Sequence, residues 1–255
     1  MSKASIKKNY LYNTFYQILT LITPLITAPY VSRIFGPSGI GIQSYTNSIV
    51  MYFTLFAALG TVTYGQREIA MHRDNKKETS KLFWEIECLS IMTTCICLLI
   101  WFTFVFLYKE YRPYFLVQTM TIVAVMFDIS WFFGGFEQFK FIVIRNTIVK
   151  ILGIGCLFIF IKEKSDLLLY IGLLAATGLL GNISMWTYLP RFLVKIDFKK
   201  LKVMRHFKET LVYFIPTIAS SIYTVLDKTM IGAITNNSSE NGYYEQATKI
   251  VKMCL

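Results

Sequence analysis

Four charged residues lie within long stretches of sequence that are otherwise apolar: Asp128, Lys150, Asp227 and Lys228. A charged side chain is costly inside a lipid bilayer, and it therefore usually faces the interior of a helix bundle or a water-filled path. A buried lysine can hold an anionic group, whereas a buried aspartate can hold a cation or balance a lysine. Residues of these types at these positions predict a path for a substrate or an ion.

Membrane-spanning helices are the elements that would position these side chains. Of the 255 residues, 55% are hydrophobic and 16% are charged, against about 25% charged in soluble domains. This composition excludes a disordered chain and argues against an ordinary soluble fold. A span needs roughly 20 mostly apolar residues, so we predict an all-α polytopic membrane protein, in which each helix satisfies its own backbone hydrogen bonds. The gaps between charges place helices near 10–31, 42–63, 86–108, 113–134, 141–161, 167–190 and 210–234.

The distribution of Lys and Arg gives the orientation of the chain in the membrane. With the amino terminus in the cytoplasm, the inside segments hold 17 of these residues and the outside loops hold 5, a bias typical of positive-inside topology. The net charge of +11 is therefore largely a topology signal, and its spread along the loops argues against a nucleic-acid partner. The first apolar stretch is too long for the core of a cleaved signal peptide, and we expect it to remain as the first span.

Three parts of the chain are predicted: a six-helix bundle over 1–190, a basic cytoplasmic linker over 191–209, and the start of a second bundle over 210–255. The linker has a partly amphipathic pattern suited to the anionic inner membrane surface. Both bundles open with a proline-containing helix, at Pro24 and Pro216, then a short turn and a Gly-started segment, GIQSYTNSIV or GYYEQATKIV. Because proline permits kinking, both prolines are predicted hinges. Internal repeats are common in transporters, and we expect the chain to be the front portion of a longer one.

Three segments carry a family resemblance: YVSRIFGPSGIGIQSY, FDISWFFGGFEQFKFIVIRN and DKTMIGAITNNSSENGYYEQATKI. Together they resemble the bacterial flippases of polysaccharide repeat units, for O-antigen or capsule, in the multidrug/oligosaccharidyl-lipid/polysaccharide exporter superfamily. The resemblance covers essentially the whole chain and implies two six-helix bundles, of which this chain would supply the amino-terminal one. It also implies movement of an undecaprenyl-diphosphate-linked oligosaccharide from the inner to the outer leaflet of the bacterial inner membrane by alternating access.

The partners that the resemblance implies are the lipid-linked oligosaccharide, membrane lipids, and a polysaccharide polymerase with other assembly proteins. No cofactor is expected, and a proton or a sodium ion remains open as the coupling ion. No enzyme signature occurs, since His72 and His206 lie far apart in basic loops and no metal-ligand spacing, nucleotide loop or nucleophile motif is present. Three other functions stay open: a multidrug exporter of the same superfamily, a membrane-embedded glycosyl- or acyltransferase, and an inactive truncated remnant.

A carrier of such a substrate needs a hydrated and partly cationic cavity. Asp227 and Lys228 lie roughly 26 Å along the seventh predicted helix. There Lys228 would meet the diphosphate or sugar hydroxyls, and Asp227 would hold a coupling ion or balance Lys228; alternatively, both side chains extend to the outer interface. Lys150 faces the cavity or reaches back to cytoplasmic phosphates. Arg33 opens the outer turn RIFGPSG, and it belongs to an outer gate or is an ordinary loop arginine.

Asp128 and Arg145 form a predicted ion pair. A tight turn containing Gly134, Gly135 and Glu137 joins the fourth and fifth predicted helices, and an antiparallel hairpin centred there places residue 128 opposite residue 145. A desolvated carboxylate is tolerable when it is paired. We therefore expect this pair to shape a cytoplasmic gate; the alternative is two independent, solvated charges at helix ends.

Overall fold

The computed structural model of the chain describes residues 6–235 and 237–254, and these residues form helices joined by short turns. Within this part of the chain, six helical stretches are long and apolar enough to cross a membrane. The predicted class, an all-α polytopic membrane protein, is confirmed. The α-helices are α1 Ile6–Ala58, α2 Thr61–His72, α3 Lys76–Leu107, α4 Arg112–Val125, α5 Ser130–Gly135, α6 Phe139–Phe160, α7 Leu167–Met185, α8 Arg205–Thr235 and α9 Ser238–Cys254.

α1 is a hairpin of two helices that meet at Gly36, whose backbone angles of φ 65° and ψ −174° are not helical. A positive φ of this size is costly for a residue with a side chain, so glycine suits the turn. Since α3 and α6 run in the same direction, contacts to them orient the two halves of α1. The first half runs parallel to α6, the second runs antiparallel to α3, and the halves are therefore antiparallel to each other. The contacts are Thr20 with Lys150, Tyr30 with Ile161, Tyr45 with Tyr108, and Ala57 with Thr93.

The helices alternate in direction, so their turns collect at two ends of the bundle. One end, called the Gly36 end, holds Gly36, the turn at 108–111 and Asn237. The opposite end, called the Glu137 end, holds Glu137 in the turn before α6 and the 3-10 helix Trp186–Arg191. The chain crosses between these two ends seven times within the described residues, in agreement with the seven predicted helices.

An aromatic cluster fills the Glu137 end of the bundle. α5 contributes Trp131, Phe132 and Phe133, each at most 2% exposed. The ring of Trp131 stacks on Phe83 of α3 with centroids 5.6 Å apart. The sequence predicts one continuous helix over 113–134, but the structure divides this stretch into α4 and α5. Tertiary packing of the aromatic side chains overrides the continuous helical pattern.

The segment 191–209 packs against the bundle at the Glu137 end. The Val194 amide donates to Ser80 Oγ of α3 at 2.9 Å. The ring of Phe198 lies 5.2 Å from the ring of Trp84, also on α3. These contacts hold the segment on α3. Its predicted contact with the membrane surface and its place as the boundary between two bundles stay predictions.

Candidate functional site

Lys228 is held in an ion pair between α8 and α9. Its Nζ lies 2.6 Å from Oε2 of Glu245, and the Ser44 hydroxyl of α1 donates to the same oxygen at 2.9 Å. Lys249 Nζ, one turn along α9, lies 3.3 Å from the other oxygen, Oε1. Glu245 is only 8% exposed, so its carboxylate is largely removed from water at the junction of α1, α8 and α9. The two lysines and the Ser44 hydroxyl, rather than water, therefore stabilise the charge of this carboxylate.

Asp227 takes a different partner. Its side chain is exposed, and its Oδ2 accepts a hydrogen bond from the Tyr244 hydroxyl of α9 at 2.6 Å. Asp227 and Lys228 are successive residues of a helix, so their side chains point in different directions. The charge of Lys228 is therefore balanced by Glu245 and not by Asp227. The predicted coupling-ion role of Asp227 and the predicted substrate contact of Lys228 stay predictions.

Lys150 lines a cavity of about 320 Å³ between the first half of α1, α6 and α7. Its Nζ donates to Thr20 Oγ1 of α1 at 2.9 Å. The wall of this cavity carries one ammonium group together with hydroxyl and amide groups, and the rest of its lining is largely apolar. A contact with substrate stays a prediction. The polar residues that share the wall are Thr23, Thr27, Asn146, Tyr170 and Thr177.

Arg33 and the two predicted hinge prolines lie in stretches of α1 and α8 where the structure shows no break at these residues. Arg33 is exposed in α1, close to the turn at Gly36. α1 continues through Pro24, and α8 continues through Pro216, so glycine rather than proline supplies the sharp change of direction in α1. The outer gate at Arg33 and the hinges at the two prolines stay predictions.

Asp128 lies in the break between α4 and α5. Its Oδ1 accepts a hydrogen bond from the first amide of α5 at 3.0 Å, and the resulting Asx-type turn leads into that helix. Two side chains from α7 and from the 3-10 helix that follows it satisfy carbonyl groups at the break: Asn182 Nδ2 donates to the Ala124 carbonyl at 2.7 Å, and Trp186 Nε1 donates to the Phe127 carbonyl at 3.0 Å. The break is therefore supported by the packing of α4 on α7.

Arg145 of α6 does not form the predicted ion pair with Asp128. Its Nη1 donates to Asn182 Oδ1 at 3.0 Å, and the ion pairs within the described part of the chain do not include Asp128. The hairpin argument assumes a helix that is continuous up to Gly134, whereas the break moves Asp128 off the face that opposes Arg145. Arg145 instead holds the side chain that caps α4. The part of either residue in a cytoplasmic gate stays a prediction.

A buried carboxylate that the sequence did not single out joins three helices. Glu85 of α3 is 0% exposed. Its Oε2 accepts a hydrogen bond from Arg205 Nη2 at 2.6 Å and lies 2.9 Å from His206 Nε2, while its Oε1 accepts one from the Lys202 amide at 2.6 Å. His206 Nδ1 in turn lies 2.6 Å from the Tyr64 hydroxyl of α2. This network, called the Glu85 network, ties α2, α3 and the start of α8 together.

Glu87, two residues further along α3, is also buried and was also missed. It is 1% exposed, and neither carboxyl oxygen has a hydrogen-bond partner among the described residues. The predicted helix began at 86, which placed both glutamates at the membrane boundary, but α3 begins at Lys76. The available signal was the apolar sequence on both sides of the pair, with Phe83 before it and Leu89 after it.

The fold and these sites define a class of protein: a polytopic helical membrane protein that keeps several charged groups inside its bundle. The outer surface agrees, since Leu99 and Leu107 of α3 are 71% and 73% exposed, as lipid-facing residues would be. The polysaccharide biosynthesis protein family matches residues 6–255, and the chain belongs to that family. The family resemblance drawn from three sequence segments is confirmed.

Two relatives carry the name "Putative O-antigen transporter". The protein of Escherichia coli strain K12 is 23% identical over 247 residues, which cover 95% of this chain and 60% of the relative. The protein of Shigella dysenteriae is 25% identical over 229 residues, which cover 86% of this chain and 56% of the relative. The chain thus spans less than two thirds of the length of either relative. No solved structure matches the chain.

Proposed function

We propose that the complete protein moves a lipid-linked oligosaccharide from the cytoplasmic to the outer leaflet of a bacterial inner membrane, by alternating access of two helix bundles. Support comes from family membership over residues 6–255, from the names of the two relatives, and from the multi-pass helical fold. The protein acts as a transporter and not as an enzyme. Undecaprenyl diphosphate is the proposed lipid carrier, and a polymerase with other assembly proteins receives the product.

The observation that carries this proposal is the cavity at Lys150. A diphosphate linker is anionic and a glycan presents hydroxyl groups, so a carrier needs a cation beside neutral hydrogen-bonding groups. Lys150 together with Thr23, Thr27 and Asn146 supplies such a set. Apolar residues such as Leu157 form much of the remaining wall, and they suit the hydrocarbon part of the substrate.

Lys150→Met in the complete protein should slow the arrival of lipid-linked repeat units in the outer leaflet by about tenfold or more, because a charge-assisted contact is worth about 1.5–3 kcal/mol. The measurement is enzymatic labelling of repeat units at the outer surface of cells that lack their own flippase, at equal protein levels. Lys140→Met is the matched control, since Lys140 is an exposed lysine of the same helix, and it should leave the rate unchanged.

The results of this experiment test the proposed function and the role of Lys150 separately. If the unmodified complete protein fails to move repeat units, the proposed function is wrong, and drug efflux without repeat units would identify a multidrug exporter instead. Normal transport by Lys150→Met at a normal protein level would remove Lys150 from the substrate path and leave the function standing.

We further assign the Glu137 end to the cytoplasm and the Gly36 end to the outside, because the sequence segments predicted for the first side hold 17 Lys and Arg residues and those predicted for the second hold 5. In a chain without its native cysteines, Asn237→Cys should react with a membrane-impermeant maleimide added to intact cells. Lys200→Cys should react only after the cells are permeabilised. The opposite labelling pattern would reverse the assigned orientation.

A further inference from the structure

Glu87 of α3 lacks the partners that a buried carboxylate needs. It is 1% exposed, and both of its carboxyl oxygens are without a hydrogen-bond partner in the part of the chain that the structure describes. Glu85, on the same helix and equally buried, accepts hydrogen bonds that include one from Arg205. The two glutamates thus share a helix and a chemical type, but only one of them is compensated.

An ionised carboxylate at position 87 would be strongly destabilised. Moving an unpaired carboxylate out of water costs several kcal/mol even after relaxation, and proteins avoid this cost by keeping the group neutral. Asp128, from the break between α4 and α5, lies close enough to interact electrostatically with Glu87, and the Cys88 thiol is a titratable neighbour on α3 itself. Asp128 has the same sign as an ionised Glu87, so it opposes ionisation further. The burial of Glu87 and its lack of a hydrogen-bond partner among the described residues therefore favour the neutral acid.

The neighbouring carboxylate lies in a break in a membrane span. α4 ends at Val125, α5 begins at Ser130, and Asp128 lies between them. Discontinuous helices are where membrane transporters commonly hold coupling ions. The backbone at 126–129 makes turn hydrogen bonds instead of the regular hydrogen bonds of a helix, so it is the part of this span where we expect a rearrangement to cost least.

We propose that Glu87 is a proton-binding site, which carries a proton in this structure and releases it to water when the break at 126–129 rearranges. In the release step the carboxyl O–H bond breaks, the proton goes to water, and the carboxylate remains until water returns a proton. A metal ion fits less well, because the described residues contain no group of three His, Cys, Asp or Glu side chains that could hold one. Proton binding is independent of the proposed function, whereas coupling of the proton to substrate movement rests on it.

Reaction with a hydrophobic carbodiimide tests the proton site, since this reagent modifies protonated carboxyl groups in apolar surroundings. Membranes containing the chain are treated with dicyclohexylcarbodiimide over a series of pH values, and each glutamate is quantified by peptide mass spectrometry. Modification of Glu87 should fall about tenfold per pH unit above its midpoint. Glu85 is the matched control and should react weakly, because its carboxylate is paired with Arg205. Glu87→Gln keeps the size and neutrality of the protonated acid, so it should insert normally and lose this one modification.

The alternatives give different results. Absence of modification at Glu87, or equal modification of Glu85, would overturn the proton site. Protection of Glu87 by sodium at constant pH would also overturn it, in favour of a sodium site. In the complete protein, Glu87→Gln should lose transport driven by a proton gradient at an unchanged protein level. Transport that still follows the gradient in this variant would overturn the coupling, while the proposed movement of oligosaccharide would stand.

Discussion

Replacement of Glu85 by alanine is expected to destabilise the protein by about 3 kcal/mol and to loosen α8 from the bundle, since removal of one partner of a buried charge pair costs about 3–5 kcal/mol. The low end of that range applies because the Arg205 side chain is 47% exposed and recovers part of its hydration. His206 has a side-chain exposure of only 3%. It would keep its contact with Tyr64 but would face an empty space where the carboxylate was.

Thermal unfolding in detergent and proteolysis within 191–209 measure this effect. Lys81→Ala is the matched control: Lys81 Nζ lies 3.8 Å from Glu85 Oε1 at a partly exposed position of the same helix, and its loss should cost about 0–1 kcal/mol. Glu85→Gln should fall between the two, because its amide oxygen can still accept the hydrogen bond from the Lys202 amide. Equal stabilities of Glu85→Ala and Lys81→Ala would mean that the Glu85 network does not hold α8.

The spans of this protein follow from local sequence, whereas the break within one of them does not. A nearly uncharged stretch of about 20 residues has few stable alternatives to a membrane helix, so charge spacing predicts the number of spans. The turn at Gly36 is equally local, because the segment GPSG interrupts an apolar sequence. The break at 126–129 instead depends on Trp131 packing against Phe83 and on hydrogen bonds from Asn182 and Trp186. These partners are far apart in the sequence, so the apolar pattern of residues 113–134 does not indicate them.

The candidate site shows the same division. Lys150 is predictable because it is the one charged residue of the stretch 146–161. Glu85 and Glu87 follow a basic loop and therefore resemble ordinary charges at a helix end. Their surroundings differ because of residues later in the chain: Arg205 pairs with Glu85, whereas Glu87 has the carboxyl group of Asp128 as a neighbour. A sequence pattern predicts how deep a charged residue lies in the membrane, but it does not predict which residue pairs with it.

A disulfide across the contact between α1 and α9 is expected to block transport by the complete protein almost completely. The hydroxyl oxygens of Ser38 and Ser238 lie 2.7 Å apart, within the reach of disulfide geometry. Backbones approach closely here: a Cβ on Gly41 would lie 1.6 Å from the Ser238 carbonyl oxygen, and one on Gly242 would lie 2.0 Å from the Pro37 carbonyl oxygen. α1 belongs to the first predicted bundle and α9 to the second. α1 and α9 are therefore in close contact at the Gly36 end, and the proposed alternating access requires this contact to open.

The experiment combines Ser38→Cys with Ser238→Cys in a complete protein that lacks its native cysteines. Oxidation should form the disulfide and stop the movement of repeat units, and reduction should restore it. Each single variant, oxidised in the same way, should transport normally, which controls for the oxidant and for the substitutions. Full transport by the cross-linked protein would exclude separation of the two bundles at the Gly36 end. Small residues and one pair of hydroxyl groups form this contact, and no covalent bond prevents the two helices from separating. A disulfide at the same place prevents their separation until it is reduced. Loss of transport in the oxidised protein would therefore show that this contact must open.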